Sequence, residues 1–165
     1  MEGKKAKSRA ILVFGAPCSG KTTFAEKFAK KFDLAFFDFD TIKEENRLSN
    51  KNILLIVSLL ARTRKTLIIE GGLATEKDRT EMRNVLRAGG YKPSLLWLQT
   101  DVNTIRTRMK NKYHSAAKAK ELYDKMVNEI EAPTETERPI ILSGKHTFET
   151  QARHALAGLA ESEKK

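Results

Sequence analysis

Between Ile11 and Phe32 the chain has few ways to fold. "ILVF", Ile11 to Phe14, is a short apolar run with β-branched residues, the pattern of a strand buried on both faces. "TTFAEKFAKKF" then places Phe24, Phe28 and Phe32, with Ala25 and Ala29, on one face of a helix at steps of three and four. Between them stands "GAPCSGKTT", residues 15–23. A glycine loop that joins a strand to a helix turns successive backbone N–H groups into a concavity and adds the positive end of the helix. Such a loop binds phosphate.

The residue types in the loop divide the task. Gly15 and Gly20 allow backbone angles and approach distances that a Cβ would obstruct, while Ala16, Pro17, Cys18, Ser19 and Thr23 complete the cradle. Lys21 is placed to reach the β- and γ-phosphates of a nucleotide, and Thr22 offers its hydroxyl to Mg²⁺. This is the G-x-x-x-x-G-K-S/T pattern, the P-loop. The competing reading is a glycine-rich β-α turn that binds nothing, but residue frequencies multiplied over a chain of this length make a chance match rare.

The remaining chain alternates strand and helix, which indicates a parallel sheet with helices on both faces. "LAFFDF" reads as a second strand, "NILLIVSLLARTR" as an apolar helix, and "TLIIEGG" as a third strand ending in glycines. A helix over "EKDRTEMRNVLRAGG" stops at Gly89 and Gly90. "SLLWLQT" is the fourth strand. Two charged helices follow, interrupted near Tyr113 to Ser115, then the breaker region "APTETERP", a fifth strand "IILSG" and a last helix from about Phe148 to Leu159.

At 165 residues the chain reads as one domain over 9–162 after a solvated basic tail, 1–8. It has no apolar run approaching ~20 residues, so no membrane span is expected. The opening "MEGKKAKSR" lacks the apolar stretch of a secretory signal. The single cysteine, Cys18, excludes an intramolecular disulfide and suits a reducing compartment. A cytoplasmic monomer is expected, with Cys18 a tolerated small residue of the loop. The net charge of +10 raises the question of nucleic acid. Some of the excess lies in the tails and much of the rest between Arg106 and Lys125, where a protein handling polyanionic nucleotide would also concentrate it.

Parallel sheets of this kind bind ligands beyond the carboxyl ends of their strands. There the second strand carries "DFD". Because residues alternate in a strand, Asp38 and Asp40 point to the same side, one able to help hold Mg²⁺ through water and the other to accept a proton from an incoming hydroxyl. The alternative is a helix N-cap and a turn carboxylate preceding "TIKEEN". Glu70 ends the third strand where many P-loop proteins place an aspartate that orients Mg²⁺, and Gly71 and Gly72 leave room for a substrate. Arg106 and Arg108 are candidates for a lid near 106–118 that stabilises a transferring phosphoryl group. On a regular helix the two diverge by about 200°, so both face one phosphate only if the helix frays.

The chain resembles the small P-loop kinases, the group containing shikimate and gluconate kinases, polynucleotide 5′-hydroxyl kinases, antibiotic phosphotransferases and zeta-type toxins, and more broadly AAA-type ATP-binding proteins. "GAPCSGKTTFAEKFA", "FFDFDTIKEE", "TLIIEGGLATEKDR" and "LLWLQTDVNTIRTRMKNK" occur in the order and approximate spacing of those families. The resemblance implies an α/β fold of three layers, a five-stranded parallel sheet of order 2-3-1-4-5, and ATP as phosphoryl donor. It assigns Asp38 to the metal and Asp40 to the acceptor hydroxyl. "IILSGKHTFETQ" resembles the segment that packs on the adenine, which brings in Ser143, Gly144 and Lys145. Glu70 departs from the common aspartate, and the arginine pattern that shikimate kinases use for the substrate carboxylate is absent. The acceptor's identity therefore does not carry over.

The expected activity is phosphoryl transfer from MgATP to a small hydroxyl compound. Lys21, Asp40, Arg106 and Arg108 would act on the reacting groups, and Asp40, Gly71 and Gly72 would receive the acceptor. A polynucleotide 5′-hydroxyl kinase is the first alternative. A nucleotide-hydrolysing switch or assembly factor, which has no need for an acceptor base such as Asp40, is the second.

Overall fold

Five short apolar runs become strands: β1 (Ser8–Gly15), β2 (Ala35–Asp38), β3 (Leu67–Glu70), β4 (Tyr91–Gln99) and β5 (Ile140–Ser143). In the computed structural model, which describes residues 8–162, all of them pair in parallel in the order β2-β3-β1-β4-β5. The central strand β1 alternates its side chains between two cores. Ile11 and Val13 pack with Phe24 and Phe28 of α1 (Lys21–Phe32) and Ala152 and Ala155 of α7 (Phe148–Glu161). Ala10, Leu12 and Phe14 pack on the opposite face with Ile53 and Val57 of α3 (Asn50–Leu60) and Met82 and Leu86 of α4 (Glu76–Ala88). Helices on both faces of a parallel sheet are the expected three-layer architecture. No helix among the described residues is long and apolar enough to cross a membrane.

Local capping sets the helix starts. Ser49 with Asn52 and Thr75 with Asp78 form capping boxes for α3 and α4, while Asp101 and Ser115 cap α5 (Val102–Tyr113) and α6 (Ala116–Glu129). The interruption expected near Tyr113 is one left-handed residue, His114, with φ 51°, so α5 and α6 form a helical hairpin over the loop.

Two expectations need correction. Ser8, assigned to the basic tail, is the first residue of β1 and pairs with Tyr91; residues 1–7 lie outside the described residues. The second strand is also shorter than "LAFFDF". It ends at Asp38, and Phe39 and Asp40 already belong to α2 (Phe39–Asn46). The Asp38 carboxylate accepts from the Thr41 backbone N–H at 3.1 Å and from the Thr41 hydroxyl at 2.7 Å, so an N-cap wins over strand continuation. Strand alternation therefore does not relate Asp38 to Asp40. Asp38 occupies the N-cap position that the alternative reading gave it.

A buried arginine braces the carboxyl end of the sheet. Arg79 of α4 is 0% exposed, and its Nε and Nη2 donate to the two Glu137 carboxylate oxygens at 2.8 and 2.9 Å. Its Nη1 donates to the carbonyls of Leu73, Ala74 and Glu131, and the guanidinium lies over the Phe14 ring at 4.9 Å. Four segments meet on this one side chain: the end of β1, the turn after β3, the segment beyond α6 at Glu131 and the short 3₁₀ turn Glu135–Glu137. Removing Glu137 would strand the Arg79 charge in the core at a cost of about 3–5 kcal/mol, whereas without Arg79 the Glu137 carboxylate would keep Arg83 Nη1 at 3.5 Å.

Candidate active site

The loop after β1 closes on itself through the Ser19 N–H, which donates to Ala16 O at 3.0 Å, and delivers Gly20 to the start of α1 with φ 100°. That angle suits glycine and turns the first helical N–H groups toward the space above the loop. Arg108 of α5 fastens the loop from the far side. Its Nη1 donates to the carbonyls of Cys18 and Ser19, both at 3.1 Å, and its Nη2 to Gly144 O at 3.1 Å. The Thr100 hydroxyl adds a bond to Ser19 O at 3.1 Å.

These contacts border a cavity of about 520 Å³ lined by Gly20, Lys21, Thr22, Thr23, Arg108, Lys112, Gly144 and Phe148, among others. It joins the P-loop to the segment after β5, as a nucleotide with phosphates at one end and a base at the other requires. Of the segment expected on the adenine, Gly144 lines this cavity. Ser143 and Lys145 instead line a neighbouring one, where Lys145 Nζ pairs with Asp101 at 2.7 Å. The hydrogen bond from Lys145, followed by those from Thr104, holds the Asp101 carboxyl well below the usual carboxylate range.

Arg106 and Arg108 part company. α5 is regular through both, so Arg108 turns to the loop while Arg106 stacks over the Tyr123 ring of α6 at 4.7 Å. The two are not brought onto one phosphate. Lys112, absent from the candidates read in the sequence, lines the nucleotide cavity in place of Arg106. Its signal was the spacing: four residues after Arg108, it lies on the same helix face. Arg108→Ala is therefore expected to raise the ATP dissociation constant roughly tenfold or more, the scale of lost charge-assisted hydrogen bonds, and Arg106→Ala by less than about twofold. Calorimetric titration checks this, and equal effects would contradict the division of roles.

At the phosphate end, Lys21 Nζ lies 3.2 Å from Glu70 Oε1, and the Thr22 hydroxyl donates to the same oxygen at 2.6 Å. Glu70 is 1% exposed at the end of β3, and its second carboxylate oxygen has no hydrogen-bond partner. Burial lifts the Glu70 pKa above its ordinary value against the opposing pull of Lys21 and Thr22, and neighbouring Asp38 adds to the rise. An unpartnered buried carboxylate oxygen beside a threonine hydroxyl is a hard-oxygen environment, and it fits Mg²⁺. No group of three or more His, Cys, Asp or Glu gathers among the described residues, so a Mg²⁺ here would depend on phosphate and water oxygens as well.

Across the loop from the nucleotide cavity, Asp40 Oδ1 accepts from the Gly72 N–H at 3.2 Å. Gly71 has φ 89°, and a Cβ there would collide with the Asp40 backbone nitrogen. Only glycine lets the turn after β3 come this close to α2. Asp40, Gly71, Lys21 and Pro17 border a cavity of about 80 Å³ with Phe14 and Ile130. Lys21 thus borders both this cavity and the nucleotide cavity.

Residues 11–136 match the sequence family described as AAA domain. The chain belongs to this family. No curated protein matches it. Among solved structures, this AAA domain protein is similar to a gluconokinase from Sinorhizobium meliloti 1021, with a TM-score of 0.72 and 18% identity over 95% of this chain and 94% of that one. An APS kinase from Mycobacterium tuberculosis, solved with AMPPNP and APS, matches with a TM-score of 0.70 and 14% identity over 93% and 98% of the two chains. The shikimate kinase from Aquifex aeolicus vf5 follows at 0.59 and 15% over 93% and 98%. At these identities the likeness is one of fold, and the AAA domain chain has the P-loop kinase fold along nearly its whole length.

Proposed function

We propose that this protein transfers the γ-phosphoryl group of MgATP to a hydroxyl of a small molecule. The observation that carries the reading is the position of Lys21, which borders both the P-loop cavity and a separate small cavity holding Asp40. In the proposed cycle the nucleotide phosphates rest on residues 15–23, and Lys21 exchanges Glu70 for the β/γ oxygens. Thr22 and Glu70 would hold Mg²⁺, whose chemistry is to neutralise charge on those oxygens. Asp40 orients the acceptor hydroxyl and takes its proton, held in place by the Gly72 N–H. Arg108 keeps the loop backbone rigid, and Lys112 adds positive charge over the transferring group. Phosphoryl transfer asks mainly for such positioning and charge stabilisation. The likeness in fold to a gluconokinase, an APS kinase and a shikimate kinase supports the same reading.

The test is to offer γ-labelled ATP and Mg²⁺ with panels of small alcohols, sugar acids, nucleosides and 5′-hydroxyl oligonucleotides. Label is expected in a small hydroxyl compound, faster than its release to water. Label released only as inorganic phosphate, whichever compound is present, would instead support a hydrolytic switch. Oligonucleotide labelling that outpaces every small compound and falls steeply with salt would support a polynucleotide kinase.

A further inference from the structure

The acceptor cavity is short of positive charge. Among its lining residues only Lys21 and Asp40 carry charge, and the proposed nucleotide engages Lys21. The nearest buried cation beneath it, Arg79, spends its guanidinium on Glu137 and three backbone carbonyls. A carboxylate, sulfate or phosphate on the acceptor would enter without a cationic partner and beside the exposed Asp40 carboxylate, whose like charge repels it. The other walls are apolar: Phe14, Pro17, Leu73, Ala74 and Ile130.

A second cavity of about 680 Å³ adjoins the first and shares Phe14 and Ile130 with it. Trp97 of β4, Met126 and Val127 of α6, and Ile141 of β5 supply most of its remaining apolar surface. Val127 and Ile141 stay 54% and 53% exposed at its edge, and the charged pair Lys145–Asp101 on its rim is already mutually satisfied. Its size is that of a pocket for a whole small molecule, whereas about 80 Å³ beside Asp40 holds little more than a hydroxymethyl group. Phe14 is pinned under Arg79, whereas Ile130, the partly exposed C-cap of α6, lines both spaces at their shared edge.

We infer that the acceptor is an uncharged alcohol with an apolar, ring-sized body, seated against Trp97 and Ile130 with its hydroxyl at Asp40. This rests on the kinase reading for the reaction but not for the binding. In the transfer step the acceptor oxygen forms a bond to the γ-phosphorus, the bond to the β,γ-bridging oxygen breaks, and the hydroxyl proton passes to Asp40.

Trp97 is the chain's one tryptophan, so its emission reports occupancy without any turnover. Titration with 3-phenyl-1-propanol is expected to change that emission saturably, and titration with gluconate to leave it unchanged. With MgATP present, kcat/KM for 3-phenyl-1-propanol is expected to exceed that for gluconate at least tenfold. Ile130→Lys, which puts a cation at the edge shared by the two cavities, is expected to lower the alcohol's kcat/KM at least tenfold and to raise gluconate's. Transfer to gluconate in preference to the alcohol by the wild-type protein would overturn the inference and leave the kinase reading standing. A flat Trp97 response to the alcohol would also overturn it, as would unchanged selectivity in the Ile130 variant. A saturable response without transfer to any compound would uphold the pocket and defeat the kinase reading.

Discussion

Lys21→Ala is expected to lower phosphoryl transfer by roughly 10³ and to weaken triphosphate binding sharply, the scale on which preorganised charge contacts act at a transferring group. Lys21 stands 3.2 Å from Glu70 and is the charged side chain common to the two cavities, so no neighbour replaces it. The substitution also strands Glu70, which keeps only the Thr22 hydroxyl. Its pKa, already raised mainly by burial, then rises further. An acid whose folded pKa is raised gives stability that is fully present below its ordinary value of 4.5 and lost as pH rises through the folded value. Thermal melts of the variant should therefore decline more steeply than those of the wild type over that interval. Filter-binding and melting measurements together separate the two effects. Wild-type ATP turnover in a folded Lys21→Ala protein would sink the P-loop assignment.

Asp40→Asn comes second, with an expected loss in transfer of roughly 10² or more and ATP affinity held within a few-fold. The carboxamide oxygen can still accept from the Gly72 N–H, so the turn after β3 keeps its support while the proton acceptor disappears. Steady-state kinetics with a competent acceptor, alongside ATP titration, checks both halves. Lost ATP binding with normal transfer per bound nucleotide would place Asp40 in the metal or structural framework instead.

The parts of this molecule that were legible in its sequence are those specified locally. The P-loop needs a fixed spacing of glycine, lysine and threonine between an apolar run and an amphipathic helix, and all of it lies within residues 11–32. The alternation of strands and helices was legible for the same reason, and the order of the strands came from the family likeness. Asp40 was placed on the second strand with substrate room between it and the Gly71–Gly72 turn, whereas it lies in the first turn of α2 in contact with that turn, because the capping preference of Asp38 outweighs strand continuation at Phe39. Regular helix geometry already separated Arg106 from Arg108, and the fraying that would have united them does not occur. What the sequence concealed depends on distant partners. Arg79 and Glu137 are 58 residues apart, and an arginine at 0% exposure is not suggested by a charged helix. The apolar cavity likewise assembles from β1, β4, β5 and α6.

Arg79 also bears on how such a pocket can change. Because it holds the turn after β3 and the segment beyond α6 by their backbone carbonyls, its grip is indifferent to which side chains those segments carry. Ala74 and Ile130, both partly exposed, can then be exchanged one at a time while the frame around them keeps its shape, whereas Leu73 is tied into the core. The position least open to such drift is Arg79 itself, whose loss would release the turn after β3 and the segment beyond α6 together.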